Sequence, residues 1–244
     1  MSTEKVCVVS GGSAGIGLAV VEAFIDDGYR VFNLDLTPGV VGEYIQCDMT
    51  QTDQVEQAVA MIVAAVSRID ALVSNAGIHI SGSIEDTDEV DFDRVMDVNV
   101  KGAYRLVKAA LPVMKPTLHG AIVLIASDQA LIGKPNSFVY NMSKTALVSM
   151  ARTTALDYAM YGIRCNAVCP GTVDTPLYHQ AIVNYCNKSG EEPSSVHRQE
   201  ASLQPLGRIG QPKEVADLVH FLCSDKAAFI TGSLQLIDGG YTAR

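Results

Sequence analysis

Three observations predict an α/β fold, a single doubly wound parallel sheet of about seven strands flanked by helices. Short β-branched runs alternate with longer stretches of helical periodicity. The run 121–126 shows no polar alternation, as expected of a strand covered on both faces. No linker, repeat or low-complexity tract divides the 244 residues, a length that one α/β domain can hold. The βαβα order implies crossover helices on both faces of the sheet.

In chain order, the Val-Cys-Val-Val run at 6–9 reads as the first strand and 15–27 as the first helix. Strands follow at 31–34 and 44–47. Residues 50–67 read as a helix, with Thr52 as a cap and Val55, Val59, Ile62, Val63 and Val66 on one face. A strand at 71–73 precedes a long helix at 92–111 that ends near Pro112. The buried strand 121–126, a helix at 138–161 and a strand at 163–168 come next. Residues 177–205 break the pattern. They are polar, hold Gly190 and Pro193, and read as a substrate lid within a single 1–244 domain. A helix at 213–223 and a strand at 234–237 close the order.

The chain is 48% hydrophobic and 18% charged, which excludes a disordered chain. Its net charge of −9 argues against broad binding to nucleic acid or an anionic membrane. The longest apolar-looking run, 58–66, falls far below a membrane span. The six cysteines are scattered, mostly in apolar context, and the polar start carries no signal-peptide pattern; a reduced, cytoplasmic protein is expected. No His or Cys cluster has metal-ligand spacing, so no metal is expected. No serine sits in a Gly-x-Ser-x-Gly elbow.

Ser10-Gly11-Gly12-Ser13-Ala14-Gly15-Ile16-Gly17 follows the first strand and opens the first helix. Glycines there let the backbone turn tightly and approach a pyrophosphate, and the helix start offers free N–H groups. The strand–turn–helix context is the one that a dinucleotide site requires. Asp35 ends the second strand, 18 residues after Gly17. A carboxylate there hydrogen-bonds the ribose hydroxyls and repels a 2′-phosphate, and with Leu36 next in line no Arg or Lys accepts that phosphate, so NAD is favoured over NADP. Asp48 is a candidate for the adenine amino group, with a helix cap as its rival. Tyr140 and Lys144 lie one helical turn apart on one face; a neighbouring ammonium favours the phenolate, which brings general acid–base work within reach. Ser127, just past the buried strand, faces the crevice where such sheets bind ligands. It could orient a substrate oxygen or merely cap a turn. Asn99 sits inside a helical pattern it does not favour, which suggests a kink, a water site or a buried contact.

Together these residues resemble the short-chain dehydrogenase/reductase family over nearly the whole chain, implying a single-domain Rossmann-like fold. Gly11, Gly15 and Gly17 match its glycine-rich turn. Ser74-Asn75-Ala76-Gly77 resembles its Asn-Asn-Ala-Gly strand end, with Ser in the first place. Asn99, Ser127, Tyr140 and Lys144 match its catalytic tetrad. Pro170, Gly171, Val173 and Thr175 match the segment against the nicotinamide. Residues 230–232 and 238–240 resemble its C-terminal signature. The resemblance implies that Tyr140 exchanges the substrate proton, Lys144 holds the nicotinamide ribose, Ser127 orients the reacting oxygen and Asn99 orders a water. It implies cofactor contacts at Gly11, Ser13, Gly15, Ile16, Gly17, Asp35, Asp48, Asn75, Ala76, Gly77, Tyr140, Lys144, Pro170, Gly171, Val173 and Thr175. It also implies a homotetramer, or in some members a dimer, built on the 92–111 and 138–161 helices.

Within the family, 162–166 and 169–176 resemble NAD-dependent dehydrogenases of 2-keto-3-deoxy sugar acids, such as 2-keto-3-deoxy-L-fuconate, and cytosolic 3-hydroxybutyrate dehydrogenase. Such substrates carry a carboxylate, whose natural partner is an Arg fork. Arg198 and His197 in the lid and Arg208 after it are the candidates, with Gln129 and 131–137 also lining the pocket. The expected reaction is oxidation of a secondary alcohol on a small hydroxy or sugar acid. Rival readings are the same chemistry on a neutral sugar, polyol, steroid or 3-oxoacyl substrate, and a non-enzymatic NAD sensor.

Overall fold

The structure, a computed structural model, describes residues 4–243. Residues 1–3 and 244, which the 1–244 domain includes, lie outside the described residues. Seven strands form one sheet: β1 (Val6–Ser10), β2 (Arg30–Asp35), β3 (Glu43–Gln46), β4 (Ala71–Ser74), β5 (Gly120–Ile125), β6 (Ile163–Pro170) and β7 (Leu234–Ile237). Their order is β3-β2-β1-β4-β5-β6-β7, and every neighbouring pair is parallel. The order reverses between β1 and β4, and a crevice opens there at the C-terminal strand ends, as the topology of such sheets requires.

The period of two along each strand divides the core into two layers. Val6 and Val8 of β1 join the cluster that packs against α2 (Thr52–Val66), α4 (Gly102–Met114) and α5 (Phe138–Tyr158). Cys7 and Val9 join the other, against α1 (Gly15–Asp26) and α8 (Pro212–Cys223). Every residue of β1, β4 and β5 is buried, which is why these strands read as continuous apolar runs.

Three expectations need correction. The predicted 92–111 helix is α3 (Glu89–Met96), a π-helical segment at Asp97–Lys101, and α4. The wide turn falls on Asn99, where the helix-disfavouring residue stood. Pro112 does not end α4, which runs on to Met114; a proline forfeits one hydrogen bond there, and only two residues of the helix follow it. Thr52 is the first residue of α2 rather than its cap; Gln51 takes the cap position, and the Thr52 hydroxyl accepts from Arg105 Nε (3.2 Å).

The expected lid is two helices, α6 (Pro176–Ser189) and α7 (Pro193–Leu203), each with proline in the first turn, where a missing N–H costs nothing. No helix among the described residues is long and apolar enough to cross a membrane. All six cysteines are free thiols; five are buried and Cys186 on α6 is half-exposed.

Candidate active site

The glycine-rich turn is stitched to the end of β4. Gly11 adopts φ +68°, and its N–H donates to Leu34 O (2.8 Å). Asn75 Nδ2 donates to Gly11 O (2.8 Å), while Ser10 Oγ accepts from the N–H groups of Asn75 (3.1 Å) and Ala76 (3.2 Å). A Cβ on Gly17 would stand 2.0 Å from Gly11 O, so only glycine lets α1 lie this close to the turn. Ala14 at the start of α1 gives no side-chain cap, and the first turn carries no acidic residue. The free amides there are a ready site for a phosphate.

Asp35 ends β2, with Oδ2 accepting from Ser13 N (3.0 Å) and Oδ1 from Leu36 N (2.7 Å). Asp48 Oδ1 accepts from Thr50 N (2.9 Å) and Thr50 Oγ1 (2.8 Å), the turn-forming role weighed against an adenine contact. Ile16, Asn75, Gly77, Pro170, Gly171, Val173 and Thr175 line one cleft with Tyr140 and Lys144. Gly11, Gly15, Gly17 and Ala76 belong to the packed turn, with Gly15 at φ +54° against the Thr175 side chain. Thr175 itself caps α6 by accepting from Tyr178 N (3.2 Å). An uncapped helix start, glycine backbone at the crevice and a carboxylate at the end of β2 fit a dinucleotide.

Deeper in, α5 places Tyr140 and Lys144 one turn apart, the ammonium 5.5 Å from the Tyr140 ring centre. Lys144 is 4% exposed and donates to Ile125 O (2.8 Å), and burial pulls it down to about 8. The phenol does not follow the sequence expectation of an acidified tyrosine. Burial pushes Tyr140 well above its ordinary range, the charge of Asp128 adds to that, and a hydrogen bond with Ser127 only partly offsets it. Ser127 Oγ donates to Asp128 Oδ1 (2.8 Å) and accepts from Gln129 N (3.2 Å).

Asn99 is 1% exposed. Its Oδ1 accepts from Ile78 N (2.8 Å), and its Nδ2 donates to Ile78 O (3.0 Å) and Ser143 Oγ (3.0 Å). Its side chain therefore ties the segment after β4 to the helix that carries Tyr140 and Lys144.

The cavity measures about 380 Å³; Gln129 and residues 134–137 line it, while 131–133 of the expected 131–137 stretch do not. The two arginines do not. Arg198 is exposed on α7, and Arg208 is held at the surface by Glu214 (2.8 and 2.6 Å). The cation at the substrate end is Lys134, whose Nζ donates to both oxygens of Glu200 (3.0 Å each); Thr172 Oγ1 also donates to Glu200 (3.0 Å). Three further lining residues escaped the sequence reading. His79 packs edge-on against Tyr140 (4.7 Å between ring centres), and burial with the charges of Lys134 and Lys144 pushes it down to about 4. Its place just after Asn75-Ala76-Gly77 was the available signal. Asp128 adjoins Ser127, which was a signal too. Glu200 carried none, since its partner Lys134 lies 66 residues away.

A family model described as enoyl-(acyl carrier protein) reductase matches residues 11–242. A 2-(S)-hydroxypropyl-CoM dehydrogenase of Xanthobacter autotrophicus is 36% identical over 98% of this chain and 97% of its own length. Among solved structures, a short chain dehydrogenase family protein from Francisella tularensis shares 42% identity (TM-score 0.93), covering 99% of this chain and 100% of its own. The ligand-free aldohexose dehydrogenase of Thermoplasma acidophilum shares 39% (TM-score 0.94; 99% and 95% covered). ElxO with NADP bound shares 32% (TM-score 0.90; 99% and 100% covered).

Proposed function

The chain belongs to the short-chain dehydrogenase/reductase family, nicotinamide-dependent enzymes acting on CH–OH groups and their ketones, and from that premise we propose that it oxidises, with NAD, a secondary alcohol on a small hydroxylated substrate. The observation that carries this reading is the convergence of Ser127, Tyr140 and Lys144 on one cleft with the glycine-rich turn. The bound cofactor supplies the hydride acceptor.

With its hydroxyl turned from Asp128 Oδ1 to the substrate, Ser127 holds the reacting oxygen, and Tyr140 as the phenolate takes the proton. Lys144, largely charged at neutral pH with a value of about 8, favours the phenolate that accepts this proton, against the burial that holds the free phenol protonated, and would hold the nicotinamide ribose. Asn99 positions Ile78 and Ser143 and so keeps the helix register. Asp35 supports NAD over NADP, since its carboxylate ends β2 with Leu36 exposed beside it and no basic residue follows.

A sugar-acid or hydroxy-acid substrate needs a free cation. Lys134 could serve one only by leaving Glu200, so the pairing favours a neutral sugar or polyol. The similarity to an aldohexose dehydrogenase supports the same preference. We also propose a homotetramer, because Tyr104 on α4 and Leu156 on α5 are apolar and half or more exposed.

The test is NADH formation at 340 nm over aldoses, polyols, 3-hydroxybutyrate, 2-keto-3-deoxy sugar acids and a hydroxysteroid, repeated with NADP. Turnover of the neutral compounds with NAD is expected. Turnover confined to the acids would return the carboxylate site, and equal use of NADP would remove the role of Asp35.

A further inference from the structure

Asp128 follows the serine of the catalytic set on the single turn after β5 and lines the cavity. Its side chain is buried, with the residue 5% exposed. Oδ1 is used twice within the protein, accepting from Ser127 Oγ (2.8 Å) and Gln129 N (2.7 Å). Oδ2 accepts no hydrogen bond from any described residue. Yet no buried side-chain oxygen or nitrogen among the described residues lacks a partner. Oδ2 is therefore the oxygen that opens onto the cavity. A carboxylate oxygen in so dry a place is stabilised by whatever donor reaches it from the cavity side.

We infer that Asp128 accepts a hydrogen bond from a second substrate hydroxyl near the reacting carbinol, as a neutral sugar or polyol carries. Oδ1 touches Ser127 Oγ, which holds the reacting oxygen. Oδ2 belongs to the same carboxylate and opens onto the same cavity, so it is placed to meet a second hydroxyl on the part of the substrate near the carbinol. A substrate carboxylate in the place of that hydroxyl would meet the charge of Asp128 with no free cation to offset it, because Lys134 is already held by Glu200. Burial lifts the Asp128 carboxyl, while Ser127, Gln129 and the charge of Lys134 pull it back; a hydroxyl arriving at Oδ2 favours the ionised form further.

This inference rests on the proposed oxidoreductase reading and names the substrate class of the same site. The experiment compares three probes that share one carbinol: cyclohexane-1,2-diol, cyclohexanol and 2-hydroxycyclohexanecarboxylate, each with NAD. The native enzyme is expected to favour the diol over cyclohexanol in kcat/KM by about ten-fold or more, the worth of one hydrogen bond to a charged group, with the carboxylate slowest. In Asp128→Asn, which keeps the shape and places an amide N–H₂ toward the cavity, the diol-over-carboxylate preference is expected to fall by about ten-fold. NADH binding to the variant reports that it is folded. Equal use of the three probes by the native enzyme, or an unchanged preference in Asp128→Asn, overturns the role of Asp128 and leaves the oxidoreductase reading standing. Failure of the native enzyme to turn over any of the three while it binds NADH overturns both.

Discussion

At the β1–α1 end of the cleft the surface offered to a ligand is main chain. Gly11, Gly15 and Gly17, the uncapped first turn of α1 and the stitched strand ends do the work, and the nearest carboxylate, Asp35, is tied down by backbone N–H groups. At the β5–α5 end it is side chain. Buried Lys144 and Asp128 and half-buried Tyr140 and His79 sit beside the Lys134–Glu200 pair, which joins the turn before α5 to α7. Backbone cannot be changed by substitution except where a side chain is forced into it, so the first end is set by steric room. The second is set by charge and protonation, and one atom can alter it.

The sharpest way to test that contrast is to remove one oxygen. Tyr140→Phe is expected to lower kcat by about 10³-fold or more while NADH binds as before, seen by fluorescence titration. Equal loss of binding would mean that the two ends are not separable. At the other end, adding one methyl is the matching test. Gly17→Ala places a Cβ against Gly11 O and is expected to weaken NADH binding by about 10–100-fold, the equivalent of roughly 1–3 kcal/mol of overpacking, with any residual turnover keeping its substrate preference.

The third test titrates the side-chain end. His79 is depressed from 6.5 to about 4, chiefly by burial, so the unfolded chain binds its proton first. Stability is full above pH 6.5 and falls between pH 6.5 and 4 by roughly 3 kcal/mol from this group, at about 1.4 kcal/mol for each pH unit. His79→Leu is expected to flatten that part of a denaturant-midpoint-versus-pH curve; an unchanged slope would assign it elsewhere. The smallest effect is expected from Arg198→Ala and Arg208→Ala, which should leave kcat/KM within about two-fold, since both side chains lie outside the cavity. A large rise in KM for either would bring the arginine fork back.

The same contrast explains what could be read from sequence. The main-chain end is legible because its constraints are local: Gly11 to Gly17 follow a strand within a few residues, and a parallel strand such as β5 announces itself by burial on both faces. Asn99 was legible as a break though not as a π turn, since a poor helix former marks a fault without saying of what kind. The lid reads from sequence as a polar excursion, but Pro176 and Pro193 start helices. The substrate end depends on pairs such as Lys134 with Glu200, far apart in the chain, and a lone arginine in a polar stretch cannot reveal that Glu214 already holds it.

The thiols have a practical consequence. Burial raises the pKa of Cys7, Cys47, Cys165, Cys169 and Cys223, which keeps them as unreactive neutral thiols. Cys186, half-exposed on α6, stands apart from them. A maleimide dye applied to the native chain should therefore attach at one position on the helix that borders the cavity, giving a fluorescent reporter of that helix without any engineering.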